Sequence, residues 1–164
     1  MDDTHLIELL DTLAEAELTL ALAESLTGGA LCARLVDVPK ASRVLRGGVC
    51  TYATPLKATL LGVDSTLLAE KGPVDAEVAR QMAQGARRLM GAKLALSTTG
   101  VAGPGPAEGH EAGTVHIALA WSKGVAHREL HLTGDRAHIR SGTVNAALKL
   151  LKETLESGGI LDSH

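Results

Sequence analysis

A serine placed after an apolar run and before a pair of glycines is poised for chemistry, and this chain has one at Ser25. The run from Leu18 to Ala23 ends in Glu24-Ser25, and Leu26-Thr27-Gly28-Gly29 opens an amphipathic segment. The pattern reads as a strand delivering Ser25 to the turn before a helix. That turn lies at the carboxyl end of the strand, where open α/β sheets place their ligands. Gly28 and Gly29 let a substrate approach the backbone, and the helix start offers unpaired N–H groups and a positive dipole end. Such a turn can stabilise an oxyanion or hold a phosphate. A plain helix N-cap at Ser25 or Thr27 accounts for the same residues, so other groups must decide.

A serine hydroxyl needs a base to attack at neutral pH. Tyr52, the only tyrosine, falls at the carboxyl end of the second expected strand, and Lys57 in the first turns of the following helix. With parallel strands both reach the edge that carries Ser25. A lysine partly desolvated there has a lowered pKa and can take the serine proton; a solvated helix lysine beside a packed rim tyrosine is the alternative. The histidines are less well placed. His116, His127 and His131 fall on an expected hairpin, His138 on the last helix, and His5 and His164 near the ends; His110, in a glycine-rich loop, is a minor candidate. His127 and His131 share a strand face, but no carboxylate cluster joins them to make a metal site. The loop from Gly100 to Pro106 can turn backbone N–H groups toward an anion. It is not a dinucleotide fingerprint, because Glu108 stands where the last glycine belongs, and no Gly-Lys-Ser/Thr follows to make a P-loop.

The elements that must position these groups alternate. A helix is expected over 3–16, capped by Thr4, with Leu6, Ile7, Leu9, Leu10 and Leu13 on one face. A strand over 18–23 follows, then a helix from about Thr27 to Val36, stopped by Pro39. A second strand covers 44–53. Thr54 is the expected cap of the next helix, with Pro55 in its first turn and Gly62 at its end. A short helix is expected over 64–71, then a longer one capped by Asp75, with Val78, Met82, Ala86 and Leu89 inward and Gly91 closing it. A strand over 93–97, a loop over 101–113 and a hairpin of 114–121 with 125–132 come next. Asp135 caps a final helix over 136–156, and a loose tail begins near Ser157. Strands alternating with helices, plus one hairpin, imply an α/β fold: a mixed, mostly parallel sheet of about five strands with helices on both faces.

Composition excludes several functions. The 164 residues are 45% hydrophobic, enough for the core of one domain, and with no Phe, one Trp and one Tyr that core is aliphatic. A net charge of −3 with scattered basic residues gives no footprint for nucleic acid or an anionic membrane. Cys32 and Cys50 make a poor disulfide framework. No signal peptide pattern or membrane-length apolar run is visible, so a cytoplasmic protein is expected.

Four separated stretches resemble one family. AESLTGG, GGVCTYATPLKATLLGV, STTGVAGPGPAEGHEAGTVHIALA and TGDRAHIR occur in order between about Leu18 and Leu150. They are similar to the nicotinamide-nucleotide amidases, the C-terminal domain of the competence/damage-inducible CinA proteins and the stand-alone PncC type. The resemblance implies a three-layer α/β/α sandwich, a homodimer or higher homo-oligomer, and a metal-free amidase with no cofactor. That amidase converts nicotinamide mononucleotide to nicotinic acid mononucleotide and ammonia. It implies Ser25 as nucleophile, with Tyr52 and Lys57 completing the site. The sequence departs from the family at Gly105-Pro106-Ala107, where three glycines usually follow Gly-Pro, at Glu111-Ala112 in place of Lys-Pro, and at Leu26 in place of a small residue or cysteine. The pyrophosphatase activity of the longer CinA proteins belongs to another domain and is not implied.

The resulting expectation is an acyl-enzyme amidase. Neutral Lys57 takes the Ser25 proton, N–H groups near Ser25 and Thr27 hold the oxyanion, and Tyr52 relays the proton to ammonia. Thr27, Gly28 and Gly29 are expected to contact substrate. Thr99, Gly100, Ala102, Gly103 and Gly105, with Arg136 or Arg140, are candidates for its ribose or phosphate. A non-catalytic nucleotide cradle at Ser25-Thr27-Gly28-Gly29, and an amidase for another small carboxamide, are the alternatives.

Overall fold

Alternation of large and small apolar side chains along the strands decides how the layers stack. The computed structural model describes residues 1–161. In order, the chain forms α1 (Asp3–Glu15), β1 (Leu20–Glu24), α2 (Ala30–Val36), a 3-10 turn (Ala41–Arg43), β2 (Leu45–Cys50), α3 (Thr54–Leu61), α4 (Ser65–Lys71), α5 (Ala76–Leu89), β3 (Leu94–Gly100), β4 (Thr114–Trp121), β5 (Gly124–His131) and α6 (Arg136–Glu156). The strand order is β2-β1-β3-β4-β5. β1 is parallel to β2 and β3, whereas β4 is antiparallel to both its neighbours. Four strands therefore share a direction and β4 opposes them, as expected for a mostly parallel mixed sheet.

Leu20, Leu22, Leu94, Leu96, Val115, Ile117 and Leu119 face α1, α2 and α6 in the larger core. The alternate positions Ala21, Ala23 and Ala95 face the layer of α3, α4 and α5, and Ala118 and Ala120 meet Ala79 and Ala83 of α5. Small residues on that face let α5 lie close to the sheet. The same closeness extends to α3, because a Cβ at Gly85 would stand 1.9 Å from the Leu61 carbonyl oxygen. The result is a three-layer α/β/α sandwich. The connections from β1 reach its neighbours β2 and β3 on opposite sides, so the carboxyl end of β1 is a topological switch point.

Several boundaries differ from expectation. Asp2, not Thr4, caps α1, its carboxylate accepting from the His5 N–H. Residues 26–29 form turns and α2 begins at Ala30 rather than Thr27. β1 begins at Leu20, two residues late, and β2 ends at Cys50, so Tyr52 lies in the following loop. Ala53 occupies the cap position of α3 and Thr54-Pro55 open its first turn without a side-chain cap. β3 runs on to Gly100, because pairing with β4 continues to Val115. Leu89, expected inward, is the last residue of α5 and is 52% exposed. In the expected loose tail, Ile160 is buried in the core, while 162–164 lie outside the described residues. No described helix is long and apolar enough to cross a membrane.

Candidate active site

The serine turn is built by groups that share few sequence signals. Glu24, the last residue of β1, is 1% exposed, and a carboxylate so buried needs partners. It finds them at the start of α2, accepting from the N–H groups of Gly29 at 3.2 Å, Leu31 at 2.9 Å and Cys32 at 3.0 Å. The helix start is therefore capped internally, and the unpaired N–H groups expected there for a substrate anion are in use. Thr27 is fully buried and its Oγ1 pairs with Thr98 Oγ1 of β3 at 2.8 Å. Arg140 of α6 donates from Nε to the Leu26 carbonyl at 2.9 Å and from Nη2 to that of Thr27 at 2.8 Å. The Ser25 N–H donates to the Thr98 carbonyl at 3.0 Å. Among the described residues, the Leu26 and Thr27 N–H groups have no hydrogen-bond partner.

Ser25 presents its hydroxyl to a lysine. Lys57 is 0% exposed, in the second turn of α3, and its Nζ lies 3.0 Å from Ser25 Oγ. The same nitrogen donates to the Thr51 carbonyl at 2.5 Å. Burial pushes the Lys57 ammonium down to about 8, against an opposing pull from the Glu108 charge. A neutral amine beside a serine hydroxyl is thus accessible near physiological pH, which is what a Ser–Lys pair needs to make a nucleophile. Cys32 and Cys50 are less suited to attack, because burial and the Glu24 charge raise both thiols.

These groups open into a cleft of about 260 Å³ lined by Ser25, Leu26, Tyr52, Lys57, the loop from Thr99 to Glu108, and Arg136. Of the residues expected at the site, Ser25, Tyr52, Lys57, Thr99, Gly100, Ala102, Gly103, Gly105 and Arg136 all line it. Thr27, Gly28, Gly29 and Arg140 do not; they sit behind the turn and shape it. Arg136 donates to the Gly103 carbonyl and to the Tyr52 hydroxyl at 3.4 Å, tying the loop to the tyrosine. Thr99 donates to the Pro73 carbonyl at 2.7 Å. Of the histidines, His127 pairs with His116 at 3.0 Å, and His131 with Glu129 at 3.1 Å. Sequence reasoning missed Glu24, Thr51 and Thr98. Only Glu24 carried a signal, as a charge closing an apolar strand; Thr51 acts through its main-chain carbonyl, which any residue has, and Thr98 through a carbonyl and a hydroxyl whose partners lie more than 70 residues away.

The sequence and the fold are shared with known proteins. The CinA C-terminal domain family model matches residues 3–155. A CinA-like protein of Frankia casuarinae is 48% identical over 154 residues, 94% of this chain and 36% of the relative. A CinA-like protein of Geobacter sulfurreducens is 47% identical over 142 residues, 86% of this chain and 34% of its own length. The chain thus spans about a third of the curated relatives it matches. Among solved structures, the competence/damage inducible protein CihA of Agrobacterium tumefaciens is 34% identical with a TM-score of 0.87, covering 92% of this chain and 93% of that one. The competence damage-inducible protein A of Klebsiella pneumoniae is 30% identical with a TM-score of 0.89, covering 94% and 98%. On sequence and fold together, the chain belongs to the CinA C-terminal domain family.

Proposed function

We propose that this protein is an amidohydrolase that releases ammonia from nicotinamide mononucleotide, leaving nicotinic acid mononucleotide, through a Ser25 acyl-enzyme. The observation that carries the proposal is the buried Lys57 Nζ, 3.0 Å from Ser25 Oγ, at the floor of an open cleft. Neutral Lys57 takes the hydroxyl proton as Oγ attacks the carboxamide carbon. The Leu26 N–H, on the cleft wall, receives the oxyanion, an aimed donor contributing about 3 kcal/mol to the barrier reduction. The Lys57 proton passes to the departing ammonia with help from the Tyr52 hydroxyl, and water then hydrolyses the ester. Thr99, the N–H groups of the Gly100–Gly105 loop and Arg136 take the ribose and phosphate.

Ammonia release from nicotinamide mononucleotide, with mass spectrometry of the quenched enzyme, tests the reading. Turnover with an adduct on Ser25 supports it. Folded protein that releases no ammonia from this nucleotide, but does so from another small carboxamide, moves the substrate and keeps the chemistry.

A further inference from the structure

Of the charged groups in the cleft, two are already engaged. Lys57 holds Ser25 and the Thr51 carbonyl, and Arg136 holds Gly103 and Tyr52. The third, Glu108, also lines the cleft, and among the described residues its carboxylate makes no hydrogen bond or ion pair. Its position is built. Ala107 and His110 exchange two main-chain hydrogen bonds, at 3.0 and 2.9 Å, closing a two-residue turn with Glu108 and Gly109 at its tip. Both tip residues have left-handed backbones, Glu108 at φ 54° and Gly109 at φ 77°. That conformation suits Gly or Asn and is unfavourable for glutamate, and residues held this way gather at functional sites. Oε2 lies 3.8 Å from where a Cβ on Gly72 would stand, which places the carboxylate beside the end of α4. The charge is felt at the floor of the cleft, where it favours the protonated form of Lys57.

We propose that Glu108 is a specificity-determining residue that selects a carboxamide carried on a positively charged heteroaromatic ring over the same carboxamide on a neutral ring. The inference rests on the amidase reading and deepens it. An unpaired carboxylate in a cleft that holds an N-substituted pyridinium stabilises the bound cation, whereas a neutral ring gains nothing from it. The remaining cations are buried under the nucleophile or bound to the loop, which leaves Glu108 free to make this contact.

The test uses two ligands that share carboxamide, ribose and phosphate: nicotinamide mononucleotide, with its cationic ring, and its reduced dihydropyridine form, in which an added hydride makes the ring neutral. In a Ser25→Ala background, which removes turnover and the demand on Lys57 as a base, calorimetry gives both affinities. The oxidised ligand is expected to bind about fivefold more tightly, a ratio set by one partly screened charge pair. Adding Glu108→Gln brings that ratio close to one through weaker binding of the oxidised ligand. Glu108→Asn, which the left-handed backbone accepts, does the same with the turn preserved. A ratio unchanged in both double variants, in a protein whose wild type deamidates the nucleotide, overturns the Glu108 assignment alone. A wild type that neither binds nor deamidates the nucleotide overturns the amidase reading and this inference with it.

Discussion

Among the described residues, Lys57 and His116 are buried bases that each meet another side chain at 3.0 Å, and only the first meeting is built for chemistry. At the carboxyl end of β1, Lys57 Nζ meets Ser25 Oγ at 3.0 Å in an open cleft. On the β4–β5 hairpin, His116 Nδ1 meets His127 Nε2, also at 3.0 Å, with the rings stacked and centroids 5.2 Å apart. Burial lowers the pKa of Lys57 and of both histidines. The difference lies in the surroundings. Lys57 faces a hydroxyl and a cleft, while each histidine ring spends a nitrogen on the other. A perturbed base is therefore a site only where a nucleophile and room for a substrate accompany it.

Breaking each pair should separate their roles. The largest effect is expected from Ser25→Ala or Lys57→Met, each lowering ammonia release from nicotinamide mononucleotide by at least about a thousandfold. His127→Asn should leave that rate essentially unchanged. A hairpin variant as damaged as the lysine variant would erase the distinction.

Support of the serine turn comes next. Glu24→Ala strands three N–H groups at the start of α2 and should cost about 2–3 kcal/mol of stability in urea unfolding. An unchanged unfolding midpoint would show that the cap is dispensable.

The two pairs also differ in how pH acts on them. If Lys57 must be neutral to accept the proton, kcat/KM should rise with pH through about 8. Loss of Glu108 should move that rise to lower pH, because its charge favours the protonated amine. A flat profile from pH 6 to 10 would remove Lys57 as the base.

For the histidines the effect is on stability and is smaller. Burial holds both below the ordinary value of 6.5, reinforced at His127 by Arg80 and His116 and at His116 by His110 and His131, while Asp75 and Glu129 pull the other way. The unfolded chain then takes up protons before the folded one. Stability is full above 6.5 and falls as pH drops below it. Replacing His116 and His127 together by glutamine should flatten that fall in thermal unfolding measured across pH 5–7.

Much of the fold was legible because its signals are local. Capping by Asp75 and Asp135, the hairpin turn at Ser122-Lys123-Gly124 and the helix-breaking Pro39 each act within a few residues. The boundaries that shifted are those set by contacts from elsewhere. β3 was lengthened by pairing with β4, and α2 starts only after the left-handed Gly28 and Gly29, where Glu24 caps it. Leu89 breaks the helical periodicity of inward residues, since a side chain at a helix end is not held to the buried face.

Sequence alone determined the residue types and the alternation that makes them meet: a serine at a strand end, a lysine one turn into a later helix, and strands with large side chains on one face and small on the other. Tertiary structure alone decided which of those residues act together. The Lys57 ammonium loses its proton near 8 only because α3 packs it under the switch point, away from water. Thr27 and Arg140 support the turn because β3 and α6 reach it from 71 and 113 residues away. Spacing along the chain encodes periodicity; desolvation and long-range hydrogen bonds exist only once the layers have closed.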